Sequence, residues 1–119
     1  MTNHPDNPSS ELPPEASALL AQATASRAAM DRAARATATA ADELRRYAKF
    51  SRPGQPSAHI VQLRQRQAAA RMDSARARQA FLQAAHGFVH AAGLTLPPRV
   101  SLESFVLSWI ESGTSDAAR

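Results

Sequence analysis

The chain has 119 residues, 27 of them alanine, and a formal net charge of +4. The 25 large apolar side chains that remain suffice for one small domain with a thin core, and six Val and Ile residues are too few for a sheet. Zero cysteines exclude disulfides, thiolate metal sites and cysteine nucleophiles, while no apolar run approaches the ~20 residues of a membrane span and no secretory leader is visible, so a cytoplasmic protein is expected.

Residues 1–12 carry prolines and small polar residues but little that could bury itself, which predicts a disordered tail. A helical domain is expected over 13–113. Pro13 and Pro14 suit the first turn of a helix, and Glu15 suits its positive end. From there to about Phe50 nothing breaks the chain, and Ala, Leu, Arg, Met and Glu dominate it, all good helix formers. The run Ser51-Arg52-Pro53-Gly54-Gln55-Pro56 predicts a turn.

Ser57 is a candidate N-cap for a second helix over about 58–92, with Gly93 ending it. A seven-residue repeat runs through that helix. One set is Ile60, Gln67, Ser74, Phe81 and Phe88; the set three residues on is Leu63, Ala70, Ala77, Ala84 and Ala91. The first helix offers a weaker partner seam: Ala16, Ala23, Met30, Thr37 and Leu44 with Leu19, Ala33, Ala40 and Tyr47, broadened by Leu20, Ala34, Ala41 and Ala48. Two long helices joined by a short turn pack as antiparallel neighbours, with residue i near 108 − i. After a proline-interrupted connection, Leu102, Phe105, Val106, Trp109 and Ile110 recur at the spacing of one helical face. They predict a short third helix over about 101–112, stopped by Gly113, with a tail at 114–119. The expected fold is therefore all-α: a long, coiled-coil-like antiparallel hairpin with an alanine-rich seam, a short C-terminal helix and disordered termini. Thirteen of the 25 large apolar residues lie between Phe81 and Ile110, so a three-helix core is expected at the open end and a thin arm at the turn.

Charge is unevenly placed. Residues 27–78 carry 12 basic and 4 acidic side chains, a net of +8, while the rest of the chain carries 2 basic and 6 acidic ones, a net of −4. Thirteen of the 14 basic residues are arginine, a residue type that GC-rich coding favours. Arg64, Arg71 and Arg78 recur every seven residues along one edge of the second helix, with Arg66 and Arg76 nearby. Arg32, Arg35 and Arg46 share the outer face of the first helix, and Arg45, Lys49 and Arg52 crowd the turn. Guanidinium forks bind phosphate or carboxylate in bidentate fashion. The expected partner is thus nucleic acid, a nucleic-acid-handling complex or an acidic protein surface; a plain solvated face is the alternative. Asp31 lies four residues from Arg27 and Arg35, and Asp42 four from Arg46, so local pairing is expected to compensate some of this charge.

Two further sets of residues stand out. The Leu102, Phe105, Val106, Trp109 and Ile110 face is either core or a docking surface for a partner or a second copy, with Trp109 as anchor. Thr37, Gln67 and Ser74 at seam positions resemble the polar residues that set register in oligomers. His86 and His90, four apart, form a weak metal candidate that needs Glu103 or Glu111 to complete it. No catalytic constellation, phosphate loop or cofactor motif is present, so no enzyme activity, cofactor or small-molecule substrate is expected. The leading function is a small interaction module whose arginine arm binds nucleic acid or its machinery, in an accessory or inhibitory role. The runner-up is a protein-binding adaptor or chaperone, dimeric, acting through the seam and the Trp109 face.

Overall fold

The computed structural model describes residues 12–49, 54 and 57–117, with the backbone alone over 113–117. The protein is all-α, with helices α1 (Pro14–Ala48), α2 (Ala58–Ala91) and α3 (Leu102–Ala117). The two long helices pack closely as an antiparallel pair. Of the expected tail at 1–12, residues 1–11 lie outside the described residues, as do Phe50 and the turn residues 51–53 and 55–56, Arg52 among them.

The helix ends follow from their capping residues. At α1, the Ser17 amide donates to the Pro13 carbonyl at 3.0 Å, leaving Pro14 at the first helical position, where a missing N–H costs nothing. At α2, the Ile60 amide donates to Ser57 Oγ at 3.2 Å. Its far end closes when Gly93 turns to φ 65°, so that the Gly93 amide reaches the His90 carbonyl and the Leu94 amide reaches that of Val89. That pair of bonds is the Schellman arrangement, which favours glycine because the left-handed conformation crowds a Cβ. Ser101 caps α3, its Oγ accepting from the Ser104 amide at 3.1 Å. One expectation fails here. Gly113 does not stop α3, whose backbone stays helical to Ala117. A glycine costs a helix only about 1 kcal/mol relative to alanine, and no proline follows to enforce a stop.

Packing divides the chain into two compact units. The acidic unit comprises residues 1–26 and 79–119, and the basic unit comprises Arg27–Arg78. In the acidic unit, Ala16, Leu20 and Ala23 of α1 and Phe81, Ala84, Ala85 and Phe88 of α2 are buried together with Val106 of α3. Phe88 and Trp109 meet edge to face, with centroids 5.4 Å apart. Burying each large side chain is worth about 1.5–3 kcal/mol. Leu19 lies against Gly87, where a Cβ would come within 3.2 Å of its Cδ1. The loop before α3 holds Arg99 at φ 68°, a left-handed backbone that costs a non-glycine residue about 1–2 kcal/mol.

The basic unit buries Ala33 and Ala40 of α1 with Ile60, Leu63 and Ala70 of α2. Two large side chains thus carry its core, and alanine lets the backbones approach. Tyr47 meets His59 edge to face at 4.5 Å, so residue i lies near 106 − i rather than 108 − i, as it also does for Leu19 and Gly87. The α2 seam is legible throughout: every residue of both sets is buried or half-buried. The α1 seam is less complete, because Ala34, Tyr47 and Ala48 are exposed. A straight helix drifts about 20° per seven residues against such a repeat, and Tyr47 rests on the exposed His59 rather than among the buried side chains. Thr37 is half-buried, yet its hydroxyl donates to the Ala33 carbonyl of its own helix at 2.9 Å. Its polarity is therefore satisfied locally and leaves no donor to fix the register of a neighbour.

Candidate nucleic-acid interface

The basic unit covers the same residues, 27–78, as the stretch of net charge +8. Its helices are held by alanine and two aliphatic side chains, so its long polar side chains have nowhere to go but outward. Arg32, Arg35, Arg45, Arg46 and Lys49 of α1, and Arg64, Arg66, Arg71, Arg76 and Arg78 of α2, are all exposed. Arg52 lies outside the described residues. Arg27, which the sequence did not mark as a binding residue, is half-buried and pairs with Asp31 at 3.6 Å. Asp42 pairs with Arg45 three residues on, rather than with Arg46. Exposed pairs of this kind are worth about 0.2–1 kcal/mol, so they neutralise charge more than they hold structure.

The other two acids of this unit sit elsewhere. Glu43 and Asp73 line an open groove of about 400 Å³ between α1 and α2, floored by Ala40, Leu63 and Ala70 and shared with Arg66. Asp73, the one acid of α2 in this unit, thus lies on the groove side of its helix, and the opposite side of α2 in this unit carries none. Arg64, Arg71 and Arg78 follow one edge of the helix, drifting by only about 20° at each step and spaced about 10.5 Å along the axis at 1.5 Å per residue. Among the described residues, Arg64 and Arg71 have no ion-pair partner. This is a row of cations along one helix, able to meet an extended array of phosphates or carboxylates.

The other candidates fare differently. Val106 is fully buried and leaves the proposed docking face, because it points into the same core as Phe88. Leu102, Phe105, Trp109 and Ile110 are half-buried, with Trp109 committed on one side to Phe88. His86 and His90 are both exposed near the end of α2. Neither Glu103 nor Glu111 joins them, since no group of three or more metal-ligating side chains gathers among the described residues. Among those residues, too, no polar or charged side chain is buried, and no helix is long and apolar enough to cross a membrane.

No protein-family model, curated protein or solved structure matches this chain.

Proposed function

We propose that this chain is a non-enzymatic, cytoplasmic helical interaction module whose basic unit binds the phosphate backbone of nucleic acid, in an accessory or inhibitory role within a nucleic-acid-handling complex. One observation carries the reading: the compact unit Arg27–Arg78 and the +8 stretch share the same boundaries. A thinly held pair of helices that concentrates exposed arginine gains little from that charge in stability, since like charges repel when no partner is bound. The charge becomes favourable when a polyanion releases its counterions on binding.

The test is fluorescence anisotropy with labelled duplex DNA, single-stranded DNA and RNA at 50 and 200 mM salt. Binding should weaken steeply with salt, and Arg64/Arg71/Arg78→Ala should lower the slope of log affinity against log salt by about 3. A chain that binds none of the three at 50 mM salt would sink the reading. A second reading, a dimeric adaptor or chaperone, draws on the half-buried Trp109 face. It expects that same failure, together with loss of the dimer or of a partner on Trp109→Ala.

A further inference from the structure

The outer side of α2 in the basic unit has a second pattern besides its seam. Val61, Gln65, Ala68, Met72 and Ala75 follow one another at spacings of four, three, four and three residues. At 100° per residue they fall within about 80° of one another and face about 150° away from the buried seam. All five are exposed, and Val61 and Met72 are two of the large apolar side chains that this unit leaves to solvent, at 41% and 57% exposure. The strip carries no charge. Arg64, Arg71 and Arg78 run along one edge of it and Arg76 along the other, and the one acid nearby, Asp73, lines the groove between α1 and α2.

Resting on the nucleic-acid reading above, we propose that α2 lays this strip into the major groove of B-form duplex DNA, with the flanking arginines on the phosphates of the groove walls. The major groove is about 12 Å wide and admits a helix; its floor offers thymine methyls to apolar side chains and adenine N6 and N7 to an amide. Val61, Met72 and the alanines match the first, and Gln65 matches the second. Alanine at 68 and 75 keeps the helix slim enough to sit deep.

Other occupants fit less well. A second copy of this chain would meet arginine with arginine on both edges, whichever way it ran. An acidic helix would satisfy the arginines but would find only Val61 and Met72 as large apolar contacts. A single strand asks for aromatic platforms, and Tyr47, the one phenol or benzyl ring among the described residues of this unit, already rests on His59. An RNA duplex presents a major groove too deep and narrow for side chains to read.

The experiment is dimethyl sulfate footprinting of a mixed-sequence duplex with the full chain. The reagent methylates guanine N7, which lies in the major groove, and adenine N3, which lies in the minor. Bound protein should protect guanine N7 and leave adenine N3 reactive. In parallel, Gln65→Glu should weaken duplex binding by about tenfold. Gln83→Glu, the same charge change at an exposed position of the acidic unit, should leave it within about twofold. Both positions are exposed, so circular dichroism should show both variants folded. Duplex binding with guanine N7 unprotected and the two variants alike would overturn the groove placement while leaving phosphate binding intact. Failure to bind any nucleic acid at 50 mM salt would overturn both, as would preference for a synthetic acidic amphipathic helix over the duplex.

Discussion

The acidic and basic units draw on the same two helices and the same seven-residue repeat, yet they use it oppositely. The row of α2 that follows the seam reads Arg64, Arg71, Arg78 and then Ala85. In the basic unit its members are exposed cations; in the acidic unit the next member is fully buried. The difference lies in what else is present. The acidic unit includes α3, with Val106 wholly buried and Trp109 against Phe88. The basic unit has only two helices, so the same row stays in water. A helix whose inner seam is continuous can thus be core-building over one stretch and surface-building over the next, with a single row of side chains recording the change.

Exchanging the two solutions should break the comparison most severely. Ala85→Arg continues the arginine row into the acidic unit, where the site is fully buried. Overpacking costs about 1–3 kcal/mol, and an unpaired buried charge adds several more before the side chain relaxes. We expect a loss of about 4 kcal/mol or outright unfolding of that unit in urea titration followed by circular dichroism. The converse change, Arg71→Ala, removes an exposed side chain and should leave stability within about 0.5 kcal/mol. If the two substitutions had similar effects on stability, the division of the row into core and surface would be wrong.

A milder probe compares the two cores. Phe88 and Leu63 are both fully buried or nearly so, at 0% and 1% exposure. Phe88→Ala should cost about 3–5 kcal/mol, and Leu63→Ala about 2–3 kcal/mol, at the low end because a two-helix site collapses more readily around a cavity. Hydrogen exchange should localise the effects, with faster exchange spread over 58–78 for Leu63→Ala and over 79–91 with α3 for Phe88→Ala. A uniform acceleration across both units in either variant would show that they open as one.

Much of this was legible in the residues alone. Ser57 and Gly93 marked helix ends because a hydroxyl cap and a left-handed glycine are local chemistry. The α2 seam was legible because Phe81, Phe88, Ile60 and Leu63 stand out against alanine. Tyr47 misled, since a seven-residue repeat gives an average direction and not the surroundings of one position. Gly113 misled because a glycine is a weak signal without a following proline. For the basic surface the residues were readable and the ligand was not: a guanidinium fork suits phosphate and carboxylate equally. What the fold adds is that Glu43 and Asp73 share a groove with Arg66, leaving one side of α2 free of acids.

The smallest effect tests how tightly the acidic unit is closed. Gly87 sits inside α2, where alanine would favour the helix by up to about 1 kcal/mol. The added methyl would stand 3.2 Å from Leu19 Cδ1, closer than ordinary van der Waals contact. Its neighbour, however, is the tip of a half-buried side chain with rotamer freedom, not a backbone atom. A shift of a few tenths of an ångström relieves the contact without moving α1. Gly87→Ala should therefore stabilise the protein by about 0.5 kcal/mol, read as a small rise in the urea midpoint with an unchanged slope. A loss of 1 kcal/mol or more would mean that Leu19 is wedged in place and that the glycine is required for the close approach of the two helices. Adding Leu19→Ala to that variant would separate the cases, since removing the obstructing methyls should make Gly87→Ala favourable by its full helix propensity.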